Sequence, residues 1–368
     1  MTEPRAALAA ELAELTLDLM RVPSPTGHEE AIADLVVSRL GTRGGARVAR
    51  HGRSVVAFLG EGSPLVVLAG HLDTVPEQGH PEPAAVGSDL VGLGSSDMKS
   101  GLAVMLRLAE SVAREGGRNA RQGRLALVFY DGEEGPMSGN GLSDLFEREP
   151  DLGRADLAVL LEPTANAVEL GCQGSLHARI TFRGVAAHSA RPWMGRNAIH
   201  LAAPFLSRVA GLPIREVAMG DALFREAMSV TLAQGGASRN VIPERFAVNL
   251  NLRFAPDRSV EEAKADVATF IPPGADCEFV DAAPGAAPRP DVPLVRKFLE
   301  GSGLPVKGKQ AWTDVAQFAA RGVPAFNFGP GLPELAHRRD ERVPVENLVR
   351  AYRVLAGFLG LAESEAGA

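Results

Sequence analysis

Leu65-Val66-Val67-Leu68-Ala69-Gly70-His71-Leu72-Asp73 is the stretch from which the fold can be read. A short Val- and Leu-rich run that ends at a glycine and then offers a histidine and an aspartate reads as a buried strand followed by a polar loop. Three further runs repeat the pattern. Leu125 to Tyr130 precedes Asp131-Gly132-Glu133-Glu134, Leu157 to Leu161 precedes Glu162-Pro163-Thr164, and Ala325 to Phe328 precedes Gly329-Pro330-Gly331, which leads on to His337. Helical patterns lie between them, which is the signature of an α/β architecture with a mostly parallel central sheet flanked by helices. Ligands of open α/β sheets bind just beyond the carboxyl ends of the strands, so loops scattered along the sequence are expected to converge on one site.

Between about Gly174 and Pro284 the pattern changes to alternating strands, such as His177 to Phe182 and Phe246 to Phe254, with a helical stretch near Ala198 to Ala210. This predicts an α+β domain inserted at 175–284, which divides the first domain into 1–174 and 285–368. The Pro-, Ala- and Gly-rich segment Ala282 to Pro293 reads as the return linker, and the chain from about Ala362 reads as a disordered tail. Two domains also suit 368 residues of 45% hydrophobic content, since one core rarely grows that large.

The N-terminal segment Met1 to Met20 intersperses Glu3, Glu11, Glu14 and Asp18 among alanines and leucines. It predicts an amphipathic helix and lacks the regions of a signal peptide. No apolar run is long enough to span a bilayer, which argues against a membrane partner. Cys172 and Cys277 suggest no disulfide framework, so a cytoplasmic setting is expected. A net charge of −7, with both signs scattered, offers no basic stripe to nucleic acid.

The chemistry is carried by His71 and Asp73, Asp97, Glu133 and Glu134, Glu162, and His337. Zinc takes imidazole nitrogen and carboxylate oxygen, and a hydrolytic site keeps a position open for water. Taken singly, each acid is as well explained as a solvated loop residue or a helix N-cap, and Asp97, just before the helical run Met98 to Ala109, most of all.

Six motifs in order carry a resemblance. They are Gly70-His71-Leu72-Asp73-Thr74-Val75-Pro76, Gly92-Leu93-Gly94-Ser95-Ser96-Asp97-Met98-Lys99-Ser100-Gly101, Asp131-Gly132-Glu133-Glu134-Gly135, Glu162-Pro163-Thr164, Gly184-Val185-Ala186-Ala187-His188-Ser189-Ala190 and Ala336-His337. Over nearly its whole length the chain resembles the zinc-dependent family of aminoacylases, acetylornithine deacetylase, glutamate-type carboxypeptidases and succinyl-diaminopimelate desuccinylase. The resemblance implies a zinc-peptidase-like catalytic domain with an inserted lid and dimerisation domain. It implies two zinc ions per subunit, with cobalt as an alternative. Asp97 would bridge them, His71 and Glu162 would complete one site, and Glu134 and His337 the other. Asp73 is then the carboxylate that accepts the ring N–H of His71, and Glu133 the general acid and base.

By the same resemblance His188 stabilises the tetrahedral oxyanion, reaching the site of the other subunit in a homodimer formed through the inserted domain. Asn240 and Arg253 match substrate-binding positions, and Thr313 in Ala311-Trp312-Thr313-Asp314 joins them. Arginine suits a carboxylate because its guanidinium is a planar fork. Gly171-Cys172-Gln173-Gly174-Ser175 and Ala187-His188-Ser189-Ala190-Arg191-Pro192-Trp193 are nearest the family's actinobacterial desuccinylase branch. Cys172 and Gln173 stand where the proteobacterial branch tends to carry arginines, so Arg191 is taken as a substitute cationic partner. The implied substrate is a small N-acyl amino acid, N-succinyl-LL-2,6-diaminopimelate first, with acetylornithine, another acyl amino acid or a dipeptide as the alternative.

Overall fold

The computed structural model describes residues 3–41, 46–114 and 123–361; the tail from Ala362 lies outside them. The chain divides into two compact units, one of Met1–Leu170, Arg289–Lys307 and Gln317–Ala368, the other of Gly171–Pro288 and Gly308–Ala316. The second stretch of the second unit carries Thr313, whereas the boundary expected from the sequence puts it in the returning part of the first domain, 285–368.

The first unit is built on an eight-stranded sheet in the order Ala46–His51, Ser54–Leu59, Arg124–Tyr130, Leu65–His71, Leu157–Leu160, Ala325–Asn327, Val168–Leu170, Val306–Gly308. Parallel pairing joins Arg124–Tyr130, Leu65–His71, Leu157–Leu160 and Ala325–Asn327, while Ser54–Leu59 and Val168–Leu170 pair antiparallel at either side. The parallel strands are those whose apolar runs were legible. Both of their faces are covered, so they are almost wholly apolar between their ends, and Asn327, which closes the last of them, is itself buried. Val66, Leu68, Leu125, Leu127 and Phe129 enter one large core, and the alternate residues Val67, Ala69, Ala126 and Val128 are also fully or almost fully buried.

Helix Glu3–Met20 forms as its pattern predicts and buries Leu8, Leu12, Leu15 and Leu19, a repeat of three and four residues along one face. It packs with helices Ser100–Arg114 and Val345–Leu359. One expected element differs. The helix read from Met98 begins at Ser100, preceded by a wide turn over Ser95–Lys99 in which Lys99 N–H donates to Gly94 O at 2.8 Å. Asp97 (φ −119°, ψ 96°) and Met98 (φ −132°, ψ 36°) are not helical there, and the peptide bond between them is cis. Asp97 therefore caps no helix, and its side chain is held elsewhere.

The second unit is a five-stranded antiparallel sheet in the order Arg215–Met219, Ala222–Gly235, Arg245–Phe254, Gly174–Arg183, Ala275–Ala283. Strand Arg245–Phe254 alternates buried with more exposed residues. Its inward set, Phe246, Val248, Leu250, Leu252 and Phe254, packs with Phe205 and Val209 of helix Ala198–Ala210 and with Ala263 and Val267 of helix Val260–Phe270. Both helices start on a cap. Asn197 accepts from Ile199 N–H at 2.9 Å, and Ser259 with Glu262 forms a capping box.

Candidate metal centre

Strand Leu65–His71 ends on His71, whose ring is buried. Its Nδ1 donates to the main-chain oxygen of Asp73 at 2.9 Å, which leaves Nε2 for the site. The Asp73 carboxylate lies 3.5 Å from the same Nδ1, so the carbonyl takes the bond that the sequence reading gave to the side chain. The carboxylate is engaged elsewhere. Its Oδ1 accepts the N–H of Glu133 at 3.0 Å, and its Oδ2 accepts the N–H of Glu134 at 3.0 Å and the Thr26 hydroxyl at 2.9 Å. Asp73 thus fixes the loop after strand Arg124–Tyr130 against the end of strand Leu65–His71.

Asp97 meets both imidazoles. Its Oδ1 is 3.1 Å from His71 Nε2 and its Oδ2 is 3.3 Å from His337 Nε2, so one carboxylate spans two nitrogen donors. Glu134 Oε1 stands 2.9 Å from the same His337 nitrogen. Ligand atoms of His71, Asp97 and Glu134 all lie within 4.8 Å of one another. Glu162 is buried at the carboxyl end of strand Leu157–Leu160. The turn it opens packs tightly on the Asp97 loop, since a Cβ on Gly331 would lie 2.1 Å from Ser96 O and 2.9 Å from Pro163 Cβ. Only a glycine allows its backbone to come so close to that of Ser96 and to the Pro163 ring.

His337 arrives with a left-handed backbone, φ 63°, which costs a non-glycine residue about 1–2 kcal/mol. Such strain collects where a fold holds a side chain for a task. The side chain is 51% exposed, so the cluster is open to solvent on that side.

The electrostatics follow from this crowding. Burial alone would push the His71 imidazole down, but Asp73, Asp97 and the charge of Glu133 hold it well above its ordinary value. Asp97 and Glu134 raise His337 to about 10. Asp97 is held well below the usual carboxylate range, because His337 and His71 outweigh its burial. Negative charge that retains a proton so firmly also draws a divalent cation, and imidazole nitrogen with carboxylate oxygen is the donor set that zinc and cobalt accept. The residues present therefore fit such ions.

Two buried charges beside the cluster went unassigned in the sequence. Lys99 donates from Nζ to Val22 O at 2.8 Å, and burial pushes it down to about 7. Glu341 accepts main-chain N–H groups of the Asp97 loop, and burial pushes it up to about 7. Neither carries a signal in the letters beyond its nearness to Asp97 or His337.

The remaining candidates belong to the second unit. His188 is exposed, and its Nδ1 accepts the N–H of Ala190 at 3.0 Å, which assigns the ring proton of a neutral imidazole to Nε2. Ser189 N–H donates to Asn240 O at 2.9 Å, and His188 pairs with Val241 across two short antiparallel segments, so His188 and Asn240 lie side by side. Arg191 is exposed two residues after Ser189, Arg253 is partly buried in strand Arg245–Phe254, and Thr313 is buried, its carbonyl 3.7 Å from Cys172 Sγ. Cys172 is itself buried, which raises its thiol and suits an inert role.

Residues 67–360 match the profile of a family described as peptidase family M20/M25/M40. A Corynebacterium glutamicum protein named succinyl-diaminopimelate desuccinylase is 37% identical over 353 residues, covering 94% of this chain and 95% of the relative. A Mycobacterium tuberculosis protein to which the name succinyl-diaminopimelate desuccinylase DapE is provisionally attached is 43% identical over 350 residues, covering 94% and 97%. Among solved structures, aminopeptidase PepT from Bacillus cereus superposes with a TM-score of 0.76 at 19% identity, covering 95% of this chain and 98% of that one. An M20 family metallo-carboxypeptidase from Sulfolobus solfataricus does so with 0.71 at 15% identity, covering 95% and 99%. At those identities the two structures speak for the fold alone.

Proposed function

The chain belongs to peptidase family M20/M25/M40, and from that premise we propose its reaction and the residues that perform it. It is a metal-dependent hydrolase that splits the amide of N-succinyl-LL-2,6-diaminopimelate into succinate and LL-diaminopimelate. The family and the two desuccinylase relatives, each matched over 94% of this chain, support the reaction. The observation that carries the mechanism is the contact of the single Asp97 carboxylate with both His71 and His337.

His71, Asp97 and Glu162 would hold one cation, and Asp97, Glu134 and His337 the other. When bound, two zinc ions, or cobalt in their place, acidify the attacking water and polarise the amide carbonyl. Glu133 takes the proton from that water as it attacks and passes it to the departing amine. Its main-chain N–H is pinned to Asp73, so the carboxylate starts from a fixed base. Asp73 orients both that loop and, through its carbonyl, the His71 ring. His188 donates from Nε2 to the oxyanion, which is the role its tautomer suits. Asn240, Arg253, Arg191 and Thr313 bind the substrate, the arginines pairing with its carboxylates.

The enzyme works in the cytoplasm as a homodimer, with His188 serving the partner's site. Pairing is supported by the apolar residues that the second unit leaves exposed. Ile199 and Leu201 on helix Ala198–Ala210 and the 70% exposed Leu232 on strand Ala222–Gly235 are among them. Among the described residues no helix is long and apolar enough to cross a membrane.

The reading is tested by comparing kcat/KM for succinyl-diaminopimelate, acetylornithine and simple dipeptides in one zinc-loaded preparation. The succinylated substrate should lead by at least about tenfold, which is about 1.4 kcal/mol, the upper end of the net contribution of one hydrogen bond. A lead for either of the others would overturn the substrate assignment.

A further inference from the structure

One buried carboxylate outside the proposed ligand set ties two of its members together. Glu341 is 1% exposed and closes the turn that directly follows His337, its N–H donating to Arg338 O at 3.1 Å. Its side chain reaches a loop 244 positions away. Oε1 accepts the N–H of Asp97 at 2.9 Å and of Ser96 at 2.8 Å, and Oε2 accepts that of Gly94 at 3.0 Å. The main chain continues the contact. Glu341 O accepts Gly92 N–H at 3.0 Å, Arg342 O accepts the Ser96 hydroxyl at 2.7 Å, and that hydroxyl accepts Leu332 N–H at 2.9 Å.

The loop of residues 92–97 has neither a helical ladder nor a strand partner for these amides, and a buried amide without an acceptor is costly. Glu341 gathers three of them at one point, the amide of Asp97 itself included. On the other side it follows His337 by four residues in the chain, and that imidazole meets Asp97 and Glu134. We infer that Glu341 is a positioning residue, which sets the separation of the Asp97 carboxylate from the His337 imidazole and thereby shapes the cation position that those two share with Glu134. It touches neither substrate nor cation and acts only through the two segments it joins.

The inference rests on the two-cation reading above, and the test separates the two. Glu341→Gln preserves size but turns an NH2 toward one of the loop amides, and Glu341→Asp preserves charge at shorter reach. Metal content is measured on the full chain after dialysis against graded zinc buffers, the cobalt-loaded protein is followed by its visible absorption, and kcat and KM are read alongside. Wild type should hold two ions. Glu341→Gln should hold one as wild type does and the other about 10–100-fold more weakly, with one component of the cobalt spectrum altered. Its kcat should fall with KM nearly unchanged, and Glu341→Asp should recover part of the lost affinity.

Wild-type affinity for both ions in Glu341→Gln would overturn the inference and leave the two-cation reading standing. So would loss of the metal-free fold in both variants by circular dichroism, since Glu341 would then support the fold and not the site. A wild type that holds a single ion at saturation would overturn the two-cation reading itself, and the inference with it.

Discussion

Replacing Asp73 by asparagine tests whether its carboxylate works through the Glu133–Glu134 loop. The two carboxylate oxygens accept from Glu133 N–H, Glu134 N–H and the Thr26 hydroxyl at 2.9–3.0 Å. Asparagine keeps one oxygen, so either orientation of the amide points an NH2 at one of the two main-chain donors. A hydrogen bond to a charged acceptor contributes about 1.5–3 kcal/mol, and a buried donor left unsatisfied costs about 1–3 kcal/mol. Glu133 and Glu134 are partly exposed, so water relieves some of the second loss, and about 3 kcal/mol in total is expected. At about 2–4 °C per kcal/mol for a unit of 150–250 residues, the metal-free Tm of the first unit should fall by roughly 6–12 °C. A loop displaced by about 1 Å should cost about 100-fold in kcat. Thr26→Val removes only the hydroxyl donor and should cost about 1 kcal/mol with kcat within about threefold. The reasoning is refuted if the calorimetric Tm of metal-free Asp73→Asn stays within about 2 °C of wild type while kcat still collapses. The carboxylate would then act on the chemistry without restraining the loop.

Glu133→Gln should lower kcat by about 10²–10⁴-fold with zinc content unchanged by mass spectrometry, and survival of activity would remove Glu133 as the base. His337→Gly and His337→Ala should both weaken one cation preferentially, but metal-free Gly should melt higher than metal-free Ala by on the order of 1 kcal/mol, because only Ala retains the left-handed strain; equal melting would show that the backbone there is relaxed. Burial raises the Glu149 carboxyl, but Arg47 and His51 outweigh it and hold it below its ordinary 4.5. A lowered carboxyl contributes stability above its unfolded value that is lost as pH falls through the folded one, so the Tm difference between wild type and Glu149→Gln should be full above about pH 5 and shrink below pH 4. A difference that grew toward acid would reverse the assignment. Mixing inactive Glu133→Ala and His188→Ala chains should restore part of the activity through hybrid dimers, and failure after demonstrated subunit exchange would count against action of His188 across the dimer.

Much of this was legible because buried parallel strands announce themselves. Leu65–His71, Arg124–Tyr130, Leu157–Leu160 and Ala325–Asn327 are apolar on both faces, and a glycine or an acid marks where each stops. Helix Ala198–Ala210 was equally plain from its period, and its Asn197 cap agrees. The start of helix Ser100–Arg114 was not, because Asp97 before an apolar run looks the same in the letters whether it caps a helix or turns away. What decided it is distant: two imidazoles and the Glu341 carboxylate hold the loop open. The use of Asp73 was hidden for the same reason. Its spacing from His71 suggests a partner for the ring, while the amides that claim its oxygens belong to a strand end 60 positions on.

These two supporting acids share a device that explains how so many carboxylates coexist at one sheet end. Asp73, Asp97, Glu133, Glu134, Glu162 and Glu341 would repel one another if all were ionised with nothing but solvent to screen them. The fold gives two of these acids to main-chain amides, two amides for Asp73 and three for Glu341, and these donors are already required to find acceptors once their loops are buried. Asp97 and Glu134 are left facing His71 and His337, with their negative charge uncompensated by any lysine or arginine within ion-pair distance among the described residues. An arginine at that point would hold the carboxylates just as firmly and would exclude a divalent cation. Introducing one near the cluster, for instance as Thr26→Arg, should therefore lower zinc content well below that of Thr26→Val, with the metal-free Tm falling no further than the loss of the Thr26 hydroxyl donor, about 1 kcal/mol, accounts for, and retention of both ions beside a folded, paired arginine would show that the amide-held acids are not what keeps the centre open to metal.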